Sequence, residues 1–247
     1  LIILCSMFFL NLHNNNSESL ILGISFAYII PILPYTFFFS RNLISKKNIK
    51  IFKSFFNYGA PLSIWLGVSL SLSFLDRYFI EYYYGTSLMG SYAGLSEFMI
   101  RIFSIFIFPI TLAIHPILMN KWNKNKNILD SLIKVLQASL IQVLICIIML
   151  IPLIFFKDSF FYLIQSMIPE LDNSMKEVMI PIFLGGFLWQ LALVIHKPLE
   201  IEERTWIMVG CIMFSVVANI IGNLFFLPKF GILATGYTMM ISASLYI

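Results

Sequence analysis

The sequence predicts an all-α polytopic membrane protein, and three observations predict it. Hydrophobic residues make up 60% of the chain and mean hydropathy is +0.90. Charged residues are only 11%, against about 25% in soluble domains. Eight apolar stretches follow one another, most of them near the roughly 20 helical residues that cross a hydrocarbon core about 30 Å thick. The polar gaps between them are alternately rich and poor in Lys and Arg.

Residues 1–12 and 231–247 are apolar but cut by the ends of the sequence, which begins at Leu1 and stops inside a hydrophobic run; a fragment of a longer chain is expected. Between them the predicted spans are 20–39, 55–75, 92–112, 131–156, 178–196 and 206–227. The gap after the first stretch is Asn-rich and contains a sequon, Asn15-Asn16-Ser17, a three-residue pattern that arises often by chance. Residues 40–54 are basic and read as a cytoplasmic loop. The gap 157–177 mixes Phe160, Phe161, Tyr162, Leu163 and Ile164 with charges, as an amphipathic segment lying in the outer interface does. Pro31, Pro34, Pro61, Pro109, Pro116, Pro152 and Pro181 fall within or at the ends of spans, where each removes a backbone donor and can bend the helix.

Orientation follows from the basic residues, which are retained on the cytoplasmic side. One set of gaps carries Arg41, Lys46, Lys47, Lys50, Lys53, Lys121, Lys124, Lys126, Lys197 and Arg204; the other carries Arg77, Lys157, Lys176 and Lys229. The first set is therefore cytoplasmic. The net charge of +4 belongs to these loops and to lipid headgroups, so nucleic acid is not expected as a partner. Cys5, Cys146 and Cys211 each lie in an apolar stretch without metal or redox spacing. No GxxxxGK[ST], GxSxG or HExxH pattern occurs. Neither an enzyme nor a metal or other cofactor is expected, and Glu200, Glu202 and Glu203 read as a solvated loop face beside Arg204.

The fourth span carries the sharpest chemical signal. Gly90, Gly94, Glu97, Arg101, Ser104, Thr111 and His115 recur at helical steps, so they share one side among Phe, Ile, Leu and Met. Arg101 lies near the expected midplane, where a charge costs roughly 2.5–3.5 kcal/mol by insertion scales and normally faces protein or a water-filled cavity. Glu97 stands four residues before it, the favourable order for a pair. His115 reads as a boundary histidine. Weaker polar stripes are Ala60, Gly67 and Ser71 beside Ser63, with Asp76-Arg77 closing the outer end of that span; Ser215, Asn219 and Gly222, with Asn223 adjacent; and Gly231, Thr235, Thr238 and Ser242. Small and polar residues of this kind mostly serve helix packing. The candidate cavity residues are Arg101, Glu97, Arg77, Ser104 and Asn219.

The run Tyr58-Gly59-Ala60-Pro61-Leu62, then Ser73 to Ile80 (SFLDRYFI), Gly85 and Gly90-Ser91-Tyr92-Ala93, resembles the start of the second half of Wzx-type polysaccharide-biosynthesis flippases. Pro198-Leu199-Glu200 to Thr205 and Asn219 through Leu227-Pro228-Lys229-Phe230-Gly231-Ile232 are similar to the same family, which belongs to the multidrug/oligosaccharidyl-lipid/polysaccharide exporter superfamily. With Phe108-Pro109 and His115-Pro116 the likeness covers most of residues 58–247. The resemblance implies twelve or more helices in two bundles around a central, often cationic cavity. Residues 1–39 would be the last helices of the first bundle, 40–54 the inter-bundle loop and 55–247 the second bundle. It implies transport of an undecaprenyl-diphosphate-linked oligosaccharide to the outer leaflet of a bacterial inner membrane, alongside other polysaccharide-assembly proteins. Arg101 and Arg77 would meet the diphosphate or acidic sugars. Glu97 departs from the family's pattern, where a basic residue often follows the Gly-x-Tyr segment, and leaves room for a cation-coupled carboxylate.

Two other classes stand beside this one. A cation-coupled multidrug exporter on the related fold would use carboxylates and aromatic walls. A membrane polymerase or acyltransferase would need a catalytic cluster or a large extramembrane loop, and the outer gaps here are short. The charge asymmetry sets an expected topology: a cysteine at position 124 stays protected from impermeant thiol reagents added outside intact cells, and one at position 172 is labelled. Labelling at 124 but not at 172 would invert the orientation.

Overall fold

The computed structural model describes residues 22–30, 32, 46–125 and 127–247. The predicted first span, the sequon, Arg41, Lys126 and half of the span 20–39 lie outside the described residues. The chain divides into two compact units, 1–57 and 58–247. In the first, residues 22–30 are helical.

From Lys46 onward the described chain is helical with short connections. The helices are α1 (Lys46–Tyr84), α2 (Thr86–Asn125), α3 (Ile128–Phe155), α4 (Lys157–Met167), α5 (Met175–Ile195), α6 (Lys197–Ile201), α7 (Thr205–Phe230) and α8 (Ile232–Tyr246). No strand occurs among the described residues. Among the described residues five segments are long and apolar enough to cross a membrane: Phe55–Tyr84, Thr86–Lys124, Ile128–Phe155, Met175–Ile201 and Thr205–Phe230. Four of them contain a predicted span, and Ile128–Phe155 covers all but the last residue of the span 131–156. The chain is a membrane-embedded helical protein.

The helices overrun the predicted loops. Helix α1 begins at Lys46, inside the segment expected as a loop, and continues to Tyr84, beyond the expected end at residue 75. Between α1 and α2 stands only Gly85, with φ +86, a conformation that a Cβ would strain. Asp76 and Arg77 therefore do not close the outer end of a span; they lie within α1, about two turns before its last residue, Tyr84. The gap 157–177 contains α4, which buries Phe161 and Ile164 and leaves Tyr162 and Leu163 exposed.

Packing selects faces by shape. Helix α2 buries Tyr92, Leu95, Met99, Phe103, Ile107, Ile114 and Leu118, an apolar line with helical spacing. Phe103 meets Phe183 and Phe187 of α5 edge-on, with ring centroids 5.1 and 5.8 Å apart. Helix α5 packs against α2, α3 and α8, and α8 lies between α5 and α7. Helix α1 turns Trp65, Ser69, Leu72, Asp76 and Ile80 inward; of the expected small-residue face Ala60 is half-buried, while Gly67 and Ser71, and Ser63 beside them, are exposed. Trp65 and Leu72 join Met208, Ile212 and Tyr246 in one cluster.

Lipid tails are as apolar as leucine, so close contact and internal hydrogen bonds, rather than water exclusion, hold such helices together. The stripes on α7 and α8 supply both. Gly222 meets Thr238, and the Ser215 hydroxyl donates to the Ser242 carbonyl at 2.6 Å. Gly236 lets α8 approach Pro181 of α5 so closely that an added Cβ would stand 2.7 Å from the proline Cβ. Gly236→Ala is therefore expected to cost about 1–3 kcal/mol through overpacking, read as a lower melting temperature of the purified protein. Gly90→Ala, where the same atom meets nothing within 4 Å, leaves melting unchanged or raises it.

Candidate functional site

The inward face of α1 carries Asp76 among helices that would lie in lipid, where an unpaired polar group costs several kcal/mol. Asp76 is 4% exposed, and both its oxygens are occupied. Asn219 and Asn223 donate their Nδ2 groups to Oδ1 at 3.0 and 2.8 Å, and the Tyr92 hydroxyl donates to Oδ2 at 3.3 Å. The two asparagines stand four residues apart on α7 and so reach one acceptor from the same helix face. Three helices thus converge on a single carboxylate.

Beside it runs a chain of charges. Arg77 Nη2 lies 2.5 Å from Glu97 Oε1, and Arg101 Nε lies 3.3 Å from Glu97 Oε2. Arg77 also stands over the Phe74 ring, 5.4 Å from its centroid. Asp76, Arg77 and Glu97 border a cavity of about 230 Å³, room for about seven waters at roughly 30 Å³ each. Tyr92 and Ser96 of α2, Trp189 and Gln190 of α5, Asn219 of α7 and Ser242 of α8 complete its polar and aromatic wall. At 1.5 Å per residue, Asp76 lies about 12 Å from the end of α1 and Glu97 about 16 Å from the start of α2. Asp76 and Glu97 thus stand about two and three turns inside their helices.

Of the five residues expected to form a cavity, the structure brings Arg77, Glu97 and Asn219 together. Arg101 and Ser104 are not among its walls. The Arg101 side chain is 79% exposed and reaches the site only through Glu97; the Ser104 hydroxyl donates to the Ile100 carbonyl of its own helix at 2.6 Å. The polar stripe of α2 borders its buried apolar face instead of facing inward itself. Sequence reasoning missed Asp76 as the centre, together with Tyr92 and Gln190, and Asn223 was noted only as a neighbour of Asn219. The available signals were the phase of Asp76 with Trp65, Ser69 and Leu72, and the four-residue step from Asn219 to Asn223.

No family model, no curated protein and no solved structure matches the chain. The chemistry of the site is therefore read from its own atoms.

A second polar cluster lies toward the other end of the same helices. Trp65 Nε1 donates to the Tyr246 hydroxyl at 2.6 Å, and that hydroxyl is 3.3 Å from His196 Nδ1. Glu200 is 3.8 Å from His196 Nε2, 3.9 Å from His115 Nδ1 and 2.5 Å from Lys197 Nζ. Glu200 is thus not part of a solvated loop face: its side chain is 13% exposed and paired. The reason is α6, a five-residue helix that folds Lys197 and Glu200 back over the end of α5. Among the described residues no group of three His, Cys, Asp or Glu side chains is placed to hold a metal ion.

The cavity offers polar groups and an aromatic wall, and both oxygens of Asp76 are held by donors from other helices. Asp76→Ala removes the acceptor and strands two amide donors and a phenol; at about 1–3 kcal/mol for each buried group left unpaired, a large fall in melting temperature is expected. Asn219→Ala leaves Asp76 two donors and is expected to cost less. Equal melting of both variants and wild type would show that the network does not hold α1 in place.

Proposed function

We propose that this chain forms part of a multi-pass carrier in a bacterial inner membrane that moves an undecaprenyl-diphosphate-linked oligosaccharide from the cytoplasmic to the outer leaflet. The observation that carries the reading is the Arg77–Glu97–Arg101 chain at the edge of a polar cavity deep within spanning helices. Ionisable groups at that depth are costly, and a carrier for a polar, anionic cargo gives them a use. The family resemblance of residues 58–247 supplies the cargo class. The reading involves no covalent step.

In this reading the cargo exchanges water for protein groups at the cavity, and Arg77 alternates between Glu97 and the anionic part of the substrate. Arg101, outside the wall and reached through Glu97, meets the same anion at the lipid side. Asp76 couples transport to a cation by binding it when α1, α2 and α7 loosen. A second reading, a cation-coupled multidrug exporter, is favoured by the sequestered Asp76 carboxylate and by Tyr92 and Trp189 in the cavity wall.

Export is testable with the full-length protein in a flippase-deficient strain, measuring surface glycan against protein abundance. Arg77→Ala is expected to reduce export at least tenfold at normal abundance, and Arg77→Lys to keep part of it. The double variant Arg77→Gln with Glu97→Gln removes both charges of the pair and is expected to accumulate normally without exporting. Full export by the double variant would reduce the pair to mutual neutralisation. Drug resistance in place of glycan export, lost in Asp76→Asn, would establish the second reading.

A further inference from the structure

The cavity's charges are already spent on one another. Glu97 gives one oxygen to Arg77 and the other to Arg101. Asp76 gives Oδ1 to two amides and Oδ2 to a phenol. Two guanidinium groups and two carboxylates leave no net charge. Neutral acceptors stay open beside them. Gln190, 8% exposed and in the cavity wall, has a side-chain carbonyl with no hydrogen-bond partner. The hydroxyls of Ser69, Ser96 and Ser242 donate to backbone carbonyls of their own helices and so can present only lone pairs. Arg77 Nε is a buried donor without a hydrogen-bond partner.

An ionised diphosphate brings acceptors only. In this cavity it would face Gln190 Oε1, three serine oxygens and two carboxylates, and the one guanidinium in the wall is already paired with Glu97. A sugar ring brings several hydroxyl donors and an apolar C–H face. Trp189 lines the cavity next to Gln190 and is steadied by Tyr246, whose ring centroid is 5.5 Å away, so a flat aromatic stands beside the open acceptor. The volume of about 230 Å³ lies below the roughly 300 Å³ at which drug-sized sites begin, and suits one ring.

Resting on the carrier reading for its cargo, we propose that the cavity takes a single uncharged sugar ring of the transported glycan. Its C–H face lies on Trp189, a ring hydroxyl donates to Gln190 Oε1, and the diphosphate stays outside the cavity. Trp189 and Gln190 then set which sugar is accepted, and the arginines recognise the lipid-linked anion common to all such cargoes.

The test uses the full-length protein in lipid nanodiscs and saturation-transfer NMR. The probes are the methyl glycosides of glucose, galactose, mannose and N-acetylglucosamine, with methyl glucuronide and inorganic pyrophosphate as the charged comparisons. At least one neutral glycoside is expected to show transfer strongest at its axial C–H protons. Trp189→Leu is expected to abolish the signal, Trp189→Phe to retain it, and Gln190→Leu to weaken binding about tenfold, the size of one lost hydrogen bond. Pyrophosphate is not expected to compete. Absence of binding by every neutral glycoside, or displacement by pyrophosphate, overturns the proposal. The two readings separate in the export assay. Unchanged export by Trp189→Leu and Gln190→Leu, with Arg77→Ala inactive, removes the sugar subsite and leaves the carrier. Sugar binding by a wild-type protein that exports no glycan removes the carrier and leaves the subsite.

Discussion

Much of this structure depends on the requirement that a carboxylate withdrawn from water be fully hydrogen-bonded. Asp76 meets it with donors from two other helices, Tyr92 on α2 and Asn219 and Asn223 on α7. In a soluble protein, exclusion of water would hold α1 against its neighbours in any case. Among lipid tails that force is missing, and apolar faces alone give α1 little reason to prefer one rotation over another. A buried acid on one face supplies the reason. With Asp76 inward, Trp65 reaches Tyr246, and Arg77 comes beside Glu97.

The same physics explains what could be read in the sequence. Hydropathy located the five long spans because crossing a bilayer demands length and apolarity whatever the tertiary structure. It ended the span of α1 at residue 75 because Asp76 and Arg77 count as interruptions wherever they point. The helix continues because those charges find partners inside the protein. Asn219 was visible as part of a polar stripe, and α7 turns that stripe inward. Arg101 misled for a different reason. The cost of a charge near the midplane assigns its stripe to the interior, but the Arg101 side chain is exposed and meets Glu97 instead. Tyr92, Leu95, Met99 and Phe103 took the interior because they fit the contours of α5, and Arg101 was left at the margin. The join between Asp76 and Asn219, 143 residues apart, is a tertiary fact that no local pattern contains.

Charge and hydrogen-bonding capacity divide the candidate site into two parts. Glu97 draws Arg77 and Arg101 into one chain at the edge, where fixed positive charge is moderated instead of concentrated. Farther along the wall, Gln190 and Trp189 offer a neutral acceptor and an aromatic surface. The contrast comes from which helix contributes: the ions belong to α1 and α2, and the neutral groups to α5. Substitutions at Gln190 or Trp189 on α5 would therefore change the neutral part of the wall without disturbing the ion pairs.

The single residue between α1 and α2 has a geometric consequence. Asp76 lies about 14 Å from Gly85 along one helix, and Tyr92 about 10 Å from it along the other. Two stiff rods sharing a corner, with a bond between points on each, make a triangle, and a triangle cannot shear. While the phenol holds the carboxylate, the angle at Gly85 is locked. Without that bond the third side is open and the corner is free to act as a hinge. The partner of one phenol thus decides whether the two longest helices among the described residues form a rigid frame or separate levers.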